Sequence, residues 1–216
     1  MKPWGLYPKG LTEMFGGTPF SIKRSATLRI SAILLMVAVF PSISERSAFA
    51  DEVDLWAALK DGGHIALLRH AMAPGTGDPE NFVIGDCSTQ RNLSVSGRAQ
   101  AKRIGERFRA NGMERARVFS SQWCRCFDTA RGLMLGPVMK LPPLNSFFQR
   151  SEKRKPQTKA LKAWLNEQNF FQTHVLVTHQ VNITALTGVY PNSGELVIVR
   201  RSKDGSLTVI GTIETE

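Results

Sequence analysis

Residues 64–70 read His-Ile-Ala-Leu-Leu-Arg-His. A glycine pair precedes this stretch, and a short apolar run bounded in this way predicts a buried β-strand over 64–69. The polar pair Arg69-His70 stands where that strand ends. In open α/β sheets, ligands bind beyond the carboxyl ends of the strands. The stretch therefore predicts both a central strand and the first part of a functional site.

Short apolar strands alternate with amphipathic helices along the rest of the chain. The strands are predicted at 117–120, 138–141, 174–178, 195–200 and 206–212, and the helices at 51–60, 94–110, 121–135, 159–169 and 182–187. Apolar strands of this kind are covered by helices on both faces of a sheet. The pattern predicts a three-layer α/β/α sandwich with a mainly parallel sheet. The last two strands form a hairpin that turns at Asp204-Gly205.

The first 50 residues have the order of a secretory leader. A basic flank, Lys23–Arg29, precedes the apolar run Ile30–Phe40, and Ala48-Phe49-Ala50 offers small residues where a signal peptidase reads them. The run is too short to span a bilayer comfortably, since a transmembrane helix needs ~20 apolar residues. We therefore predict a signal peptide over 1–50 and one domain over 51–216, periplasmic or secreted, with no stable membrane span after processing. An uncleaved N-terminal anchor is the alternative.

The charge of the mature chain is positive. The 216-residue sequence has a formal net charge of +10, and six of its 28 Lys and Arg and two of its 18 Asp and Glu lie in the leader, which leaves +6. This excess suits anionic substrates or a negatively charged envelope surface, although solvated side chains explain most of it. No aromatic-basic interleaving accompanies it, so nucleic-acid binding is not expected.

The mature chain has three cysteines, Cys87, Cys124 and Cys126. An odd number leaves at least one of them unpaired within the chain. Cys124 and Cys126 are poorly placed to pair with each other if they lie on one helix, whereas Cys87 can pair with one of them. The favoured interpretation is three buried free thiols. The spacing shows no zinc-binding pattern.

The Arg69-His70 pair has the chemistry of phosphoryl transfer. A neutral imidazole can attack phosphorus and carry the phosphoryl group covalently. The planar guanidinium of Arg69 matches two phosphate oxygens at once. The alternative is a structural histidine that is hydrogen-bonded in the core, beside a solvated arginine.

Two later segments follow predicted strands at the same edge of the sheet. Arg125 lies in the first turn of a helix, where a cation interacts unfavourably with the helix dipole. An arginine at this position therefore suggests a function, such as binding phosphate. His179 ends a later strand, and its imidazole can donate a hydrogen bond to phosphoryl oxygens and stabilise the transition state. Asn182 is interpreted as the cap of the following helix. His64 and His174 begin strands at the opposite edge and are interpreted as structural.

Together, the segments LLRHA, SSQWCRCFDTA and LVTHQ resemble the histidine phosphatase superfamily (branch 1), which has the phosphoglycerate-mutase-like fold. The match covers nearly the whole mature chain, in the right order. The resemblance implies that His70 is the nucleophile and that Arg69, Arg125 and His179 form the phosphate pocket. It makes Thr129-Ala130 part of the family's helix, interpreted here as packing residues.

Two departures from the family pattern concern Ala71 and the general acid. Ala71 stands where the family usually has glycine. Many members carry a glutamate after the third strand, but the corresponding segment 144–149 has no carboxylate. Asp78, Asp86 or Glu152 could supply a proton from a loop, although all three are interpreted as solvated. The chain thus resembles the acid-poor small members, which implies a rate that rises steeply as the pKa of the leaving group falls.

These observations favour an exported phosphohydrolase acting on a small phosphorylated substrate through a phosphohistidine on His70. Export argues against cytoplasmic phosphohistidine proteins as substrates and favours a lipopolysaccharide or another envelope phosphate. A non-catalytic phosphate-binding module is the main alternative, and mutase activity is a weaker one because the long insertions of mutases are missing. No metal or organic cofactor is implied, since histidine and arginines cover both attack and charge neutralisation.

Overall fold

The computed structural model describes residues 51–215. The helices are α1 (Glu52–Asp61), α2 (Val95–Ala110), α3 (Cys124–Gly132), α4 (Arg154–Glu167) and α5 (Gln180–Thr187), and short 3-10 helices cover Cys87–Thr89, Pro142–Leu144 and Ser151–Lys153. The strands are β1 (His64–Arg69), β2 (Arg117–Ser120), β3 (Val138–Lys140), β4 (His174–Thr178), β5 (Leu196–Arg201) and β6 (Leu207–Ile213). The predicted signal peptide lies outside the described residues.

The six strands form one sheet in the order β3-β2-β4-β1-β5-β6. The first four of these are parallel to one another, and β5 is antiparallel to both of its neighbours, β1 and β6. The mainly parallel sheet and the C-terminal hairpin are therefore confirmed. The hairpin turns at Gly205, whose φ of +82° is a conformation that only glycine adopts without strain.

Helices cover both faces of the sheet, as predicted for a three-layer sandwich. Ala66 and Leu68 of β1 pack in one core with α1, α2 and α3. Ile65 and Leu67 face the other way and pack with α4 and α5. This two-sided burial explains why the strand reads as a continuous apolar run. Within residues 51–215, no helix is long and apolar enough to cross a membrane.

The strand register brings the three predicted site segments to one edge of the sheet. Arg69 pairs with Thr178 across β1 and β4, and the backbone N–H of His70 donates to Thr178 O at 2.9 Å. On the other side of β4, Ser120 pairs with Val177 and the N–H of Ser121 donates to Val177 O at 3.0 Å. The carboxyl ends of β1, β2 and β4 are thus tied together directly.

Three helices begin at residues other than those predicted. Ser121 does not cap α3, whose N-cap position is Trp123 without a side-chain cap bond in the described structure. Helix α5 begins at Gln180, so Asn182 lies inside it, and its Nδ2 donates to Asn145 O at 3.0 Å. Helix α4 begins at Arg154, five residues before the predicted start.

The prediction of three free cysteines is wrong. Cys87 and Cys124 form a disulfide that ties the β1–α2 loop to the first residue of α3. Cys126 is a buried free thiol on the same helix as Cys124, which explains why these two do not pair. The reason is tertiary: the long loop folds back over the start of α3.

The disulfide is expected to contribute substantially to stability. It closes a loop with a sequence separation of 37, so Cys87→Ser/Cys124→Ser should lower the free energy of unfolding by about 2–4 kcal/mol. Urea denaturation under non-reducing conditions measures this difference. Wild-type protein treated with a reductant should behave like the double variant. Equal urea midpoints for the oxidised and reduced wild-type protein would contradict the prediction.

Candidate active site

His70 is held at the end of β1 in one orientation. Its side chain is buried, and Nδ1 lies 2.8 Å from Ala71 O. Because a carbonyl oxygen only accepts, Nδ1 carries the proton in the neutral ring and Nε2 keeps its lone pair. Ala71, which replaces the family's glycine, is fully buried next to it.

Thr129 is more than the packing residue that the sequence suggested. Its Oγ1 accepts a hydrogen bond from the N–H of Ala71 at 3.0 Å and donates to Arg125 O at 2.7 Å. The hydroxyl therefore connects the end of β1 to the first turn of α3. This connection sets the position of His70 relative to Arg125.

His179 faces His70 across the pocket. The two ring centroids are 5.5 Å apart and the ring planes are inclined at 70°. His179 Nε2 lies 2.9 Å from Ser121 Oγ, and Nδ1 lies 3.4 Å from Arg125 Nη2. Ser121 and Arg125 therefore contact different nitrogens of the ring.

Both imidazoles are neutral near neutral pH. Burial, and then the charge of Arg125, lower the pKa of His70 to about 3, although the hydrogen bond to Ala71 O opposes this shift. Burial and Arg125 also hold the pKa of His179 well below its usual range. A neutral His70 is the form that can attack an electrophile, since protonation of Nε2 would remove the lone pair.

The four predicted site residues, Arg69, His70, Arg125 and His179, line one cavity of about 150 Å³. Arg69 is anchored by a hydrogen bond from Nη1 to Pro191 O at 2.8 Å. The Nε–H groups of Arg69 and Arg125 are buried and have no hydrogen-bond partner within residues 51–215. Unmet donors on two cations favour the binding of an anion beside them.

Arg91 is a third arginine in this cavity, and no motif in the sequence pointed to it. Its Nε donates to Gly77 O at 2.7 Å, and its Nη1 donates to Ala73 O. These two carbonyls belong to the β1–α2 loop, so the loop backbone orients the guanidinium. Only tertiary structure could identify it, because Arg91 lies far from any strand end in sequence.

The interpretation of Asp78 as a solvated loop carboxylate is also wrong. Arg125 Nη1 donates to Asp78 Oδ1 at 2.7 Å, and Nη2 donates to Oδ2 at 3.0 Å. The Asp78 side chain is only 5% exposed. Asp86 and Glu152, the other two candidate acids, are exposed and lie outside the cavity.

Asp78 is a carboxylate in this arrangement. Burial favours its neutral form, but hydrogen bonds from Arg125 and Trp123 outweigh burial and leave the pKa below its ordinary value. The indole Nε1 of Trp123 donates to Oδ2 at 3.0 Å. The cavity therefore combines three arginines, one carboxylate and two neutral histidines.

His64 and His174 lie outside this cavity. His174 is buried, with its ring 4.7 Å from that of Phe170 and 6.0 Å from that of Phe119. His64 Nδ1 lies 2.9 Å from Gly62 O. In the described part of the chain, no group of three or more His, Cys, Asp or Glu side chains is placed to hold a metal ion.

Residues 65–147 match the model of the histidine phosphatase superfamily (branch 1). The matched segment includes Arg69, His70 and Arg125, and the fold places His179 beside them. Over this segment the chain has the sequence pattern of the histidine phosphatase superfamily. The match identifies the protein as a phosphatase of that type. Among curated proteins, none matches this chain significantly by sequence.

Solved structures share the fold of this chain. The protein histidine phosphatase SixA complexed with tungstate superposes with a TM-score of 0.51 at 15% identity, over 70% of this chain and 97% of that one. The alpha-ribazole phosphatase from Shigella flexneri gives a TM-score of 0.50 at 18% identity, over 68% of this chain and 94% of that one. At these identities, the likeness confirms the phosphoglycerate-mutase-like fold.

The ring of His70 is expected not to titrate between about pH 5 and 8, the range in which an unperturbed histidine changes charge. Its pKa of about 3 keeps it neutral throughout that range. Ring NMR signals, assigned with His70→Ala, measure this directly. A midpoint near the ordinary value of about 6.5 would contradict the buried, neutral state. Because the unfolded chain takes up this proton at higher pH than the folded chain, His70 also makes the protein less stable as the pH falls from about 6.5 towards 3.

Proposed function

We propose that this phosphohydrolase is exported and removes a phosphoryl group from an envelope or periplasmic phosphate compound through a phosphohistidine on His70. The observation that carries the proposal is the buried His70 ring, whose Nδ1–H is bound to Ala71 O while Nε2 keeps its lone pair in a cavity with three arginines. This arrangement supplies a nucleophile and an anion site together.

In the first step, His70 Nε2 attacks phosphorus. The P–N bond forms as the bond from phosphorus to the leaving oxygen breaks. The ring becomes positively charged, and the hydrogen bond from Nδ1–H to Ala71 O stabilises that charge. In the second step, water attacks phosphorus, the P–N bond breaks and phosphate leaves, which restores the neutral ring.

The arginines and His179 stabilise the phosphoryl oxygens during both steps. Arg69, Arg91 and Arg125 line the cavity and offset the charge of the transferring group. Arg125 Nη2 can only donate to His179 Nδ1 at 3.4 Å, so in this arrangement the ring proton is on Nε2 and Ser121 Oγ accepts it at 2.9 Å. When a phosphoryl group takes over Arg125, a shift of this proton to Nδ1 lets His179 donate to a phosphoryl oxygen.

A groove beside the cavity has room for the leaving group of a large substrate. The cavity of about 150 Å³ is smaller than the ~300–1,000 Å³ of common ligand sites, so it suits a phosphoryl group alone. The adjoining groove measures about 640 Å³. Its lining includes exposed apolar side chains, Val83, Ile84 and Phe148, and the cations Arg150 and Lys153. Apolar and cationic walls suit an envelope phosphate such as a lipopolysaccharide, which has apolar and anionic parts.

The disulfide supports export. Disulfides persist in oxidising compartments and are rare in the cytosol. Cys87 is exposed, so a reducing environment would have access to the Cys87–Cys124 bond. Asp51 accepts a hydrogen bond from the N–H of Glu52 and is the N-cap of α1. Cleavage after Ala50 would therefore keep the cap in the mature protein.

Labelled substrate should leave acid-labile, base-stable phosphate on His70. The assay uses an aryl phosphate carrying labelled phosphorus, followed by denaturing quench and peptide mapping. His70→Ala should lose the label and reduce turnover by at least about 10³-fold, since the nucleophile is absent. His64→Ala is the matched control, because that histidine lies outside the cavity, and it should keep both label and turnover.

Two outcomes of this labelling experiment would contradict the proposal. Label and turnover that survive in His70→Ala would exclude His70 as the nucleophile. Phosphate binding by the wild-type protein without any turnover would instead identify a non-catalytic phosphate-binding module.

Location and substrate are tested on protein from the envelope fraction. N-terminal sequencing should find Asp51 as the first residue. The purified mature protein should release phosphate from an envelope phosphate fraction, and Arg150→Ala/Lys153→Ala should raise KM for that fraction more than for a small aryl phosphate. Soluble cytoplasmic protein with an intact leader would contradict export. Failure to release phosphate from any envelope fraction would contradict the substrate class.

A further inference from the structure

Asp78 lies where the phosphoryl cavity meets the groove. Three residues line both spaces, and they are Asp78, Ser146 and Phe148. If the phosphoryl group occupies the cavity and the leaving group occupies the groove, the oxygen between them lies at this shared wall. A serine hydroxyl is far too weak an acid to protonate that oxygen, and Phe148 has no acidic proton. Among residues 51–215, Asp78 is the one carboxyl that lines both spaces.

The ion pair with Arg125 uses the same nitrogens that a phosphoryl group needs. Both Asp78 oxygens accept from Arg125, through Nη1 and Nη2, in the two-pronged geometry that guanidinium also offers to phosphate. A phosphoryl group that binds Arg125 in this way competes directly with Asp78. The Asp78 backbone stays in place meanwhile, because Gln149 Nε2 donates to Asp78 O at 3.3 Å.

We propose that Asp78 is the proton donor to the leaving group, and that binding of the phosphoryl group to Arg125 releases its carboxylate for this role. The proposal rests on the phosphohistidine mechanism on His70. It replaces the expectation of an acid-poor site, which assumed that Asp78 is solvated. The sequence named Asp78 only as one of three loop candidates, because the family's glutamate follows the third strand and not β1.

The protons balance as follows in the proposed cycle. A phosphate monoester enters as the monoanion and transfers its proton to Asp78, whose carboxylate has lost its hydrogen bonds from Arg125. As His70 Nε2 bonds to phosphorus and the P–O bond breaks, Asp78 gives this proton to the leaving oxygen, and the alcohol departs. Asp78 is then a carboxylate again and accepts a proton from the water that attacks the phosphohistidine. It returns this proton to the departing phosphate, which leaves as the monoanion, and the Asp78 carboxylate pairs with Arg125 again.

Other acidic groups are placed less well for this transfer. Glu80 lines the groove but not the phosphoryl cavity, and it is exposed. Tyr190 lines the cavity but not the groove, and it is 72% exposed. Asp86 is exposed on the same loop, where its carboxylate accepts from the N–H of Ser88 at 3.0 Å. None of these carries a group to the junction.

The test measures the rate of phosphorylation of His70 across aryl and alkyl phosphate monoesters. With a proton donor in place, the wild-type rate should depend only weakly on the pKa of the leaving group. Asp78→Asn should lower the rate for alkyl phosphates by ~10²–10⁴-fold, the usual contribution of a general acid. The rate for nitrophenyl phosphate should fall by less than about tenfold, because a phenolate leaves without a proton. Asp86→Asn, with the same charge change on the same loop, should match the wild type.

Competition for Arg125 has its own readout. Asp78→Asn should bind inorganic phosphate more tightly than the wild type, measured as a lower inhibition constant, because a competing negative charge is gone. Unchanged or weaker phosphate binding would overturn the release step. Equal losses for aryl and alkyl phosphates would show a positioning role and overturn the proton-donor assignment.

If Asp78→Asn does not fold, the rates of the wild-type protein across the aryl and alkyl phosphates still test the proposal. A steep dependence on leaving-group pKa in the wild type overturns the assignment without any variant. Failure of the underlying function is distinct, since the wild type would then form no phosphohistidine with any ester.

Discussion

The site depends on the parallel pairing of β1 with β4. This register places Arg69 beside Thr178, and the backbone bond from His70 N to Thr178 O continues it one residue beyond the strands. Parallel strands have their carboxyl ends at the same edge, so residues that are more than 100 positions apart meet without a long loop. A shift by one residue would exchange the β1 side chains between the two cores and would move Arg69 and His70 away from Thr178.

The long connection between β1 and α2 supplies the residues of the cavity that the strand ends do not. It supplies Arg91 and Asp78, and the Cys87–Cys124 disulfide fastens it to the start of α3. The charged side chains of this loop act on the other residues of the site. Asp78 forms an ion pair with Arg125, and the positive charge of Arg91 helps to lower the pKa of His70. The loop thus turns a group of strand-end residues into a cavity of defined charge.

Two helices next to the site begin without the caps that their sequences suggest. Ser121 is a good N-cap residue, yet its hydroxyl lies against His179, and α3 begins after Trp123. Helix α5 has His179 itself at its N-cap position, with no side-chain cap bond in the described structure. A side-chain cap typically contributes about 1 kcal/mol, so the site uses groups that would otherwise stabilise the helices. Local rules fail most often at functional sites for this reason.

The sequence by itself determined the elements, the mainly parallel sheet and the site residues that follow strands, because these depend on apolar periodicity and on where it stops. These residues are Arg69, His70 and His179 at strand ends and Arg125 in the first turn of the helix after β2. Tertiary structure alone decided which cysteines pair, that Arg91 enters the cavity and that Asp78 binds Arg125. These features depend on how one long loop folds over α3. A loop without hydrophobic periodicity carries no local signal of its path, which is set by contacts with residues distant in sequence.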